Sequence, residues 1–258
     1  MTADATVRRA TRERHDAIVG LVREGVDGVE LLAERLGVSA STVRRDLSQL
    51  QRQGRIARTY GGALVPEVFH ERPFTESELI NRAAKTAIGR VAVDMVPPEG
   101  TVFVDAGTTC LALAELLVGR GPLTVVTRGL EAAVLLARAP LVEVVMTGGR
   151  VQPLSHGVVG PLASLALDRL HFDVAFLGAD AVDAERGLGE PTVEETWVKE
   201  QAAARADQVA VLADSSKLGQ HAPAWVAIES TWTLVTDAAA PVDEVERIRA
   251  RGVRVRTS

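Results

Sequence analysis

From Asn81 onward the chain alternates short apolar runs with helical patterns, and this alternation restricts the fold more than any other feature of the sequence. Strand-like runs fall at Thr101–Val104, Leu123–Thr127, Val142–Met146, Val174–Gly178, Val209–Ala213 and Trp232–Thr236, with a last one at Val253–Val255. Helical patterns separate them at Cys110–Leu117, Glu131–Ala137, Leu162–Leu170, Val193–Arg205 and Val242–Arg249. Runs this short and this apolar, divided by helices, predict a parallel α/β sheet covered on both faces. Ligands in such sheets bind beyond the carboxyl ends of the strands.

The first 65 residues follow a different rule. A helix is expected from about Thr11 to Glu24, with Ile18, Leu21 and Val22 on one face. A second spans Val29–Leu36, with Leu31, Leu32 and Leu36 as its apolar set and Gly37 supplying a left-handed stop. Ser39 or Ser41 then caps a third helix. In that helix Val43, Leu47 and Leu50 are spaced for packing. Ser41, Arg44, Arg45 and Ser48 fall on another face, free to enter a major groove, where arginine reaches guanine or phosphate. Asp46 is expected to partner an arginine rather than read a base. After Gly54, Arg55-Ile-Ala-Arg58-Thr-Tyr60-Gly-Gly-Ala suggests a short hairpin, a wing carrying Arg55 and Arg58 along the DNA backbone.

Charge agrees with this division. The net charge of −5 splits into +3 over residues 1–62 and −8 over the rest, which places the basic excess at the helix-turn-helix end. The net negative charge disfavours a nonspecific nucleoid-type DNA binder. No run approaches the roughly 18 apolar residues of a membrane span, and the amino terminus lacks a signal-peptide pattern. The single cysteine, Cys110, suits a reducing cytoplasm. Five histidines (15, 70, 156, 171 and 221) show no metal-ligand spacing, so neither metal nor cofactor is expected.

The motifs taken together resemble the DeoR family of bacterial regulators. Leu36-Gly-Val-Ser-Ala-Ser-Thr-Val-Arg-Arg-Asp-Leu47 and the Arg-Thr-Tyr-Gly-Gly-Ala ending at 63 carry the likeness at one end. Asp105-Ala-Gly-Thr-Thr109, Thr147-Gly-Gly149, Phe176-Leu-Gly-Ala-Asp180 and Ala213-Asp-Ser-Ser-Lys-Leu-Gly219 carry it through the rest, in the family's order. The resemblance implies a winged helix-turn-helix at 1–65, a linker at 66–80 and a sugar-phosphate sensor at 81–258, the last similar to ribose-5-phosphate isomerase and CoA transferases. Ser39, Ser41, Thr42, Arg44, Arg45, Ser48, Arg55, Arg58 and Tyr60 are the expected DNA-binding residues.

Asp105, Gly107, Thr108, Thr109, Thr127, Arg128, Gly148, Gly149, Gly178, Asp180 and Lys217 are the expected effector-binding residues. Glycines and threonines opening a helix present N–H groups and hydroxyls to a phosphate, and Asp105 would accept from sugar hydroxyls. Only three of the 29 basic residues are lysine (Lys85, Lys199 and Lys217), and Lys217 is the preferred ligand cation. Three positions depart from the family pattern. Tyr60 stands for a usual histidine, Arg128 for a usual asparagine, and Gly187-Leu-Gly-Glu-Pro-Thr192 for a Gly-Leu-Thr run.

The expected function is a transcription repressor of a carbohydrate catabolism operon, controlled by a phosphorylated sugar. Its expected partners are double-stranded operator DNA, the sugar phosphate and copies of itself in a homodimer or homotetramer. The alternative is a sugar-phosphate isomerase-like enzyme using Asp105 or Glu195 as base.

Overall fold

The computed structural model describes residues 11, 14–22, 26, 28–52, 57–59, 62–64, 71–228 and 230–258, with backbone alone over 51–64. The chain forms two compact units, residues 1–68 and 69–258.

In the first unit a helix over 14–22 (α1) precedes α2 (Val29–Leu36) and α3 (Ala40–Arg52). A hairpin of β1 (Ala57–Thr59) and β2 (Gly62–Leu64) follows. Ile18, Leu32, Val43, Leu47 and Leu50 are fully buried and form a single core. Gly37 closes α2 at φ 62°, where a Cβ would be strained. The Gly37 and Val38 amides return to the carbonyls of Glu34 and Ala33, the two bonds of a Schellman stop. Leu31, expected in the α2 apolar set, is instead 46% exposed, and Val29 and Ala33 take its place beside Leu32. A helix this short buries only one stripe, and Leu31 lies outside it.

The second unit is built on seven parallel strands in the order β14-β13-β11-β8-β3-β4-β5. These are β3 (Gly100–Val104), β4 (Leu123–Thr127), β5 (Val142–Met146), β8 (Phe172–Gly178), β11 (Ala206–Leu212), β13 (Trp232–Thr236) and β14 (Arg254–Thr257). Alternate residues feed opposite faces, which is why the strands read as unbroken apolar runs. Val102, Val104, Val174 and Phe176 face α5 (Arg82–Ala92), α6 (Thr108–Leu117) and α7 (Leu130–Leu136). Phe103, Ala175 and Leu177 face α8 (Pro161–Leu167), α9 (Val193–Ala204) and α10 (Val242–Ala250). Two small antiparallel sheets complete the unit, β6 (Arg150–Val151) with β7 (Val158–Val159), and β9 (Ala181–Asp183) with β10 (Gly187–Glu190) and β12 (Ala224–Val226).

The chain runs outward from β3 through β4 to β5, then returns to the other side of β3 as β8. The carboxyl ends of β3 and β8 therefore border the point where winding reverses, the position at which open α/β sheets form a crevice.

Residues 71–80, expected within a linker, belong to the second unit. They carry α4 (Phe74–Leu79). Phe74 is buried, its N–H donates to the Leu154 carbonyl at 2.8 Å, and its ring stacks on His156 with centroids 5.2 Å apart. One aromatic anchor and one backbone bond hold a segment whose polar composition alone reads as a connector. Among the described residues no helix is long and apolar enough to cross a membrane.

Candidate functional site

In the first unit, α3 divides as its spacing predicts. Val43, Leu47 and Leu50 are fully buried, while Ser41, Arg44 and Arg45 face solvent and Ser48 is half-buried. Ser39 accepts the Thr42 N–H on its hydroxyl at 3.2 Å and so caps the helix; its Oγ also lies 2.8 Å from Thr42 Oγ1. Ser48 donates to the Arg44 carbonyl at 2.8 Å. Arg44 pairs loosely with Glu30 at 3.1 Å on the open surface. Arg55 and Tyr60 lie outside the described residues, and Arg58 is described only as part of β1.

Asp46 belongs to the interior. Arg14 Nε and Nη2 donate to its two oxygens at 2.6 and 3.1 Å, and His15 Nε2 lies 3.2 Å from Oδ1. Burial alone would raise its pKa, but the bonds from Arg14 and His15 outweigh burial and hold the carboxyl below its usual range.

In the second unit, a cleft opens at the crevice between the carboxyl ends of β3 and β8. Of the effector-binding residues expected from sequence, Gly107, Thr108, Thr109, Arg128, Gly178, Asp180 and Lys217 line it. Gly107, at φ 108°, turns the chain from β3 into α6, whose first-turn amides have no side-chain cap. Lys217 pairs with Asp180 at 2.8 Å, both side chains partly exposed.

Four expected residues are not brought to the cleft. Thr127 is fully buried and accepts the Gly129 N–H at 3.0 Å. Gly148 and Gly149 turn the chain between β5 and β6; a Cβ on Gly149 would sit 2.4 Å from the Val159 carbonyl oxygen, so close backbone packing accounts for this glycine. Asp105 is fully buried with its acceptors occupied rather than offered to sugar hydroxyls. Its Oδ1 receives its neighbour's Ala106 N–H at 2.8 Å and Arg128 Nε at 2.5 Å. Its Oδ2 receives the Gly178 N–H at 3.0 Å and Lys199 Nζ at 2.8 Å.

Asp105 is thereby the centre of a buried ion network beneath the cleft. Lys199, from α9, also donates to the Gly178 carbonyl and lies 2.7 Å from Glu190 Oε1. Glu195 accepts from Ser155 Oγ at 2.8 Å and Thr192 Oγ1 at 3.0 Å, with Arg128 Nη1 at 3.7 Å. Burial opposes every charge here. Arg128 and Lys199 nevertheless hold Asp105 below the usual carboxylate range, and the surrounding carboxylates hold both cations charged. Glu190 loses that contest. Burial, with Asp180 and Asp105 nearby, pushes it up to about 8, so it is mostly neutral at pH 7. Burial likewise raises Glu71 at the cleft wall to about 7. The buried Cys110 thiol is also pushed up, which removes thiolate reactivity.

Sequence reasoning missed the wall contributed by Glu71, Arg72, Phe74, Ser77 and Ile80, and the acids Glu190 and Asp214. One signal could have found more of the site. All three lysines in the chain line the cleft. Lys85 donates to the Ser77 and Ile80 carbonyls at 2.5 and 2.8 Å and ties α5 to the end of α4.

Comparison with known proteins covers both units. The DeoR-like helix-turn-helix domain matches residues 14–68 and the DeoR C terminal sensor domain matches residues 80–238. The HTH-type transcriptional regulator GlpR of Haloferax volcanii is 36% identical over 94% of this chain and 96% of its own length. The putative aga operon transcriptional repressor of Escherichia coli O157:H7 is 32% identical over 95% and 93%. Among solved structures, ribose 5-phosphate isomerase A of Methanocaldococcus jannaschii aligns over 54% of this chain and 55% of that one, with 21% identity and a TM-score of 0.40. With both domains matched in order and relatives above 30% identity along nearly the whole length, the chain belongs to the DeoR family of transcriptional regulators.

Proposed function

We propose that the chain represses a carbohydrate catabolism operon, binding double-stranded operator DNA through α3 and its wing, and that a phosphorylated sugar in the cleft controls its operator affinity. The observation that carries this reading is the division of α3. Three fully buried apolar residues fix the helix, and the opposite face offers Ser41, Arg44 and Arg45 to a groove. The cleft supplies the control. The uncapped start of α6 at Gly107–Thr109 suits a phosphate, and Lys217 adds a cation at the same cleft. A relative from Escherichia coli K12, 29% identical over 91% of this chain, is named the glycerol-3-phosphate regulon repressor.

An effector acts only through different affinities for two arrangements of the protein. Two-fold symmetric operators call for a homodimer or homotetramer. The isomerase reading has less support, because a catalytic base needs a free acceptor site within reach of substrate, and both candidate acids are buried. Asp105 has four donors, and both Glu195 oxygens are engaged.

The test is a footprint and gel shift on DNA upstream of this gene and its neighbours, with and without a panel of sugar phosphates. A protected site whose occupancy changes at least tenfold with one sugar phosphate is the expected result. Absence of specific protection at any salt concentration overturns the reading.

A further inference from the structure

An arginine at the base of a ligand cleft ordinarily suggests recognition of a carboxylate or phosphate. Arg128 is placed differently. Its side chain is 2% exposed, and its Nε is committed to Asp105 at 2.5 Å. Its Nη1 lies against Gly157, where a Cβ would come within 2.3 Å, and is left without a hydrogen-bond partner although buried. Two carboxyl oxygens in residues lining the same cleft are also unsatisfied, Glu71 Oε1 and Glu190 Oε1. The latter lies near Lys199 Nζ without an aligned donor. Buried polar atoms are rarely left unpaired, and a cleft holding one such donor and two such acceptors is short of a partner that both accepts and donates.

Charge decides what that partner is. Asp105, Glu190 and Glu195 surround the Arg128 guanidinium, with Glu71 and Asp180 further along the wall. The arginine's charge is already matched by Asp105, and Glu195 Oε1 lies 3.7 Å from Nη1, so a carboxylate brought to Nη1 would meet Glu195 at short range. A hydroxyl or carbonyl group brings no charge and satisfies the same atoms.

Building on the effector reading above, we propose that Arg128 is a specificity-determining residue of the cleft. Through Nη1, with Glu190 and Glu71, it reads a neutral hydroxylated or carbonyl end of a phosphorylated ligand and rejects a carboxylate end. A shorter residue at 128 would also leave a void joined to the cleft, so Arg128 shapes the site as well as supplying its donor.

Matched pairs of ligands test the proposal by titration calorimetry: glycerol 3-phosphate against 3-phosphoglycerate, and glucose 6-phosphate against 6-phosphogluconate, with inorganic phosphate as the baseline. The neutral member of a pair is expected to bind the full-length protein at least tenfold more tightly than its acid. Arg128→Asn should weaken the neutral member about tenfold or more, the usual loss for a charged donor. Arg128→Lys keeps the cation beside Asp105 but lacks the fork, and should weaken it similarly while preserving the fold by circular dichroism. An acid that binds as tightly as its neutral partner overturns the proposal, as does an unchanged neutral affinity in both variants. If wild type binds no phosphorylated compound above the inorganic phosphate baseline, the effector reading itself falls, and this inference with it.

Discussion

The two candidate sites carry their charges in opposite ways. On α3 the arginines stand in solvent over an apolar core, beside which Asp46 with His15 is the one buried polar group among the described residues of that unit. In the cleft, Asp105, Arg128, Glu190, Glu195 and Lys199 are each no more than 2% exposed and hold one another in place. An exposed arginine costs the fold little and is free to follow the shape of DNA. A buried ion set is expensive to desolvate and tolerates few alternatives, which makes it rigid and selective. Under the proposed function, one site suits general attraction followed by reading and the other suits discrimination.

Removing the centre of the buried network should have the largest effect. Asp105→Ala leaves Arg128 and Lys199 with only Glu190 and Glu195 nearby, and unfastens Gly178 from the loop after β3. The expected loss is about 3–5 kcal/mol of stability in chemical denaturation. A loss below about 1 kcal/mol would mean the network is no more costly to break than a surface pair, and the contrast between the two sites would collapse.

Acidity offers a second way to separate the regions. The pKa of Glu190 is raised in the folded protein to about 8, so between its ordinary value of 4.5 and about 8 the native state holds a proton that the unfolded chain has released. Stability must therefore fall as pH rises through that window, by up to about 1.4 kcal/mol per pH unit from this group alone. Glu71 acts in the same direction up to about 7. Asp46 has the opposite sign. Its pKa is depressed, so its contribution is complete above the ordinary carboxylate range and is lost only in acid. Thermal melts between pH 5 and 8 should show a decline that is shallower in Glu190→Gln. Identical slopes for the two proteins would place Glu190 in a far wetter setting.

How much of this was legible in the sequence follows the same division. The strands were, because burial on both faces makes the central ones nearly uniformly apolar; β4 and β13 have the bounds that their composition predicts, and so does the edge strand β5, which is only partly covered. The two faces of α3 were, because helical spacing alone separates them. The loops after β3 and β8 were marked by glycine and aspartate at strand ends. The docking of α4 was not, since it depends on Phe74 meeting Leu154 and His156 some eighty positions later. Nor was the role of Asp105. A carboxylate in a glycine-rich loop looks the same in sequence whether it faces a ligand or a buried cation, and Arg128, Gly178 and Lys199 reach it from three distant elements. The β9–β10–β12 sheet was hidden for a similar reason. Its strands are three or four residues long, and β12 joins the local β9–β10 hairpin from a distant stretch of chain.

The smallest effects on the fold belong to α3, and there the site can be sharpened instead of broken. Arg44→Ala and Arg45→Ala should each change stability by less than about 0.5 kcal/mol, because an exposed pair such as Arg44 with Glu30 contributes little. Their effects on DNA binding should differ. Arg45 makes no ion pair among the described residues, so its whole charge is available, and its loss should weaken operator binding about tenfold and flatten the salt dependence by one phosphate contact. Arg44 must first leave Glu30, so its loss should weaken binding less. Glu30→Gln then becomes the informative change, releasing Arg44 and raising affinity for any duplex roughly twofold to threefold in low salt, an increase that screening should erase. If Glu30→Gln binds DNA no better than wild type at low ionic strength, Arg44 is not held in reserve by that pair, and the freedom ascribed to this face belongs to Arg45 alone.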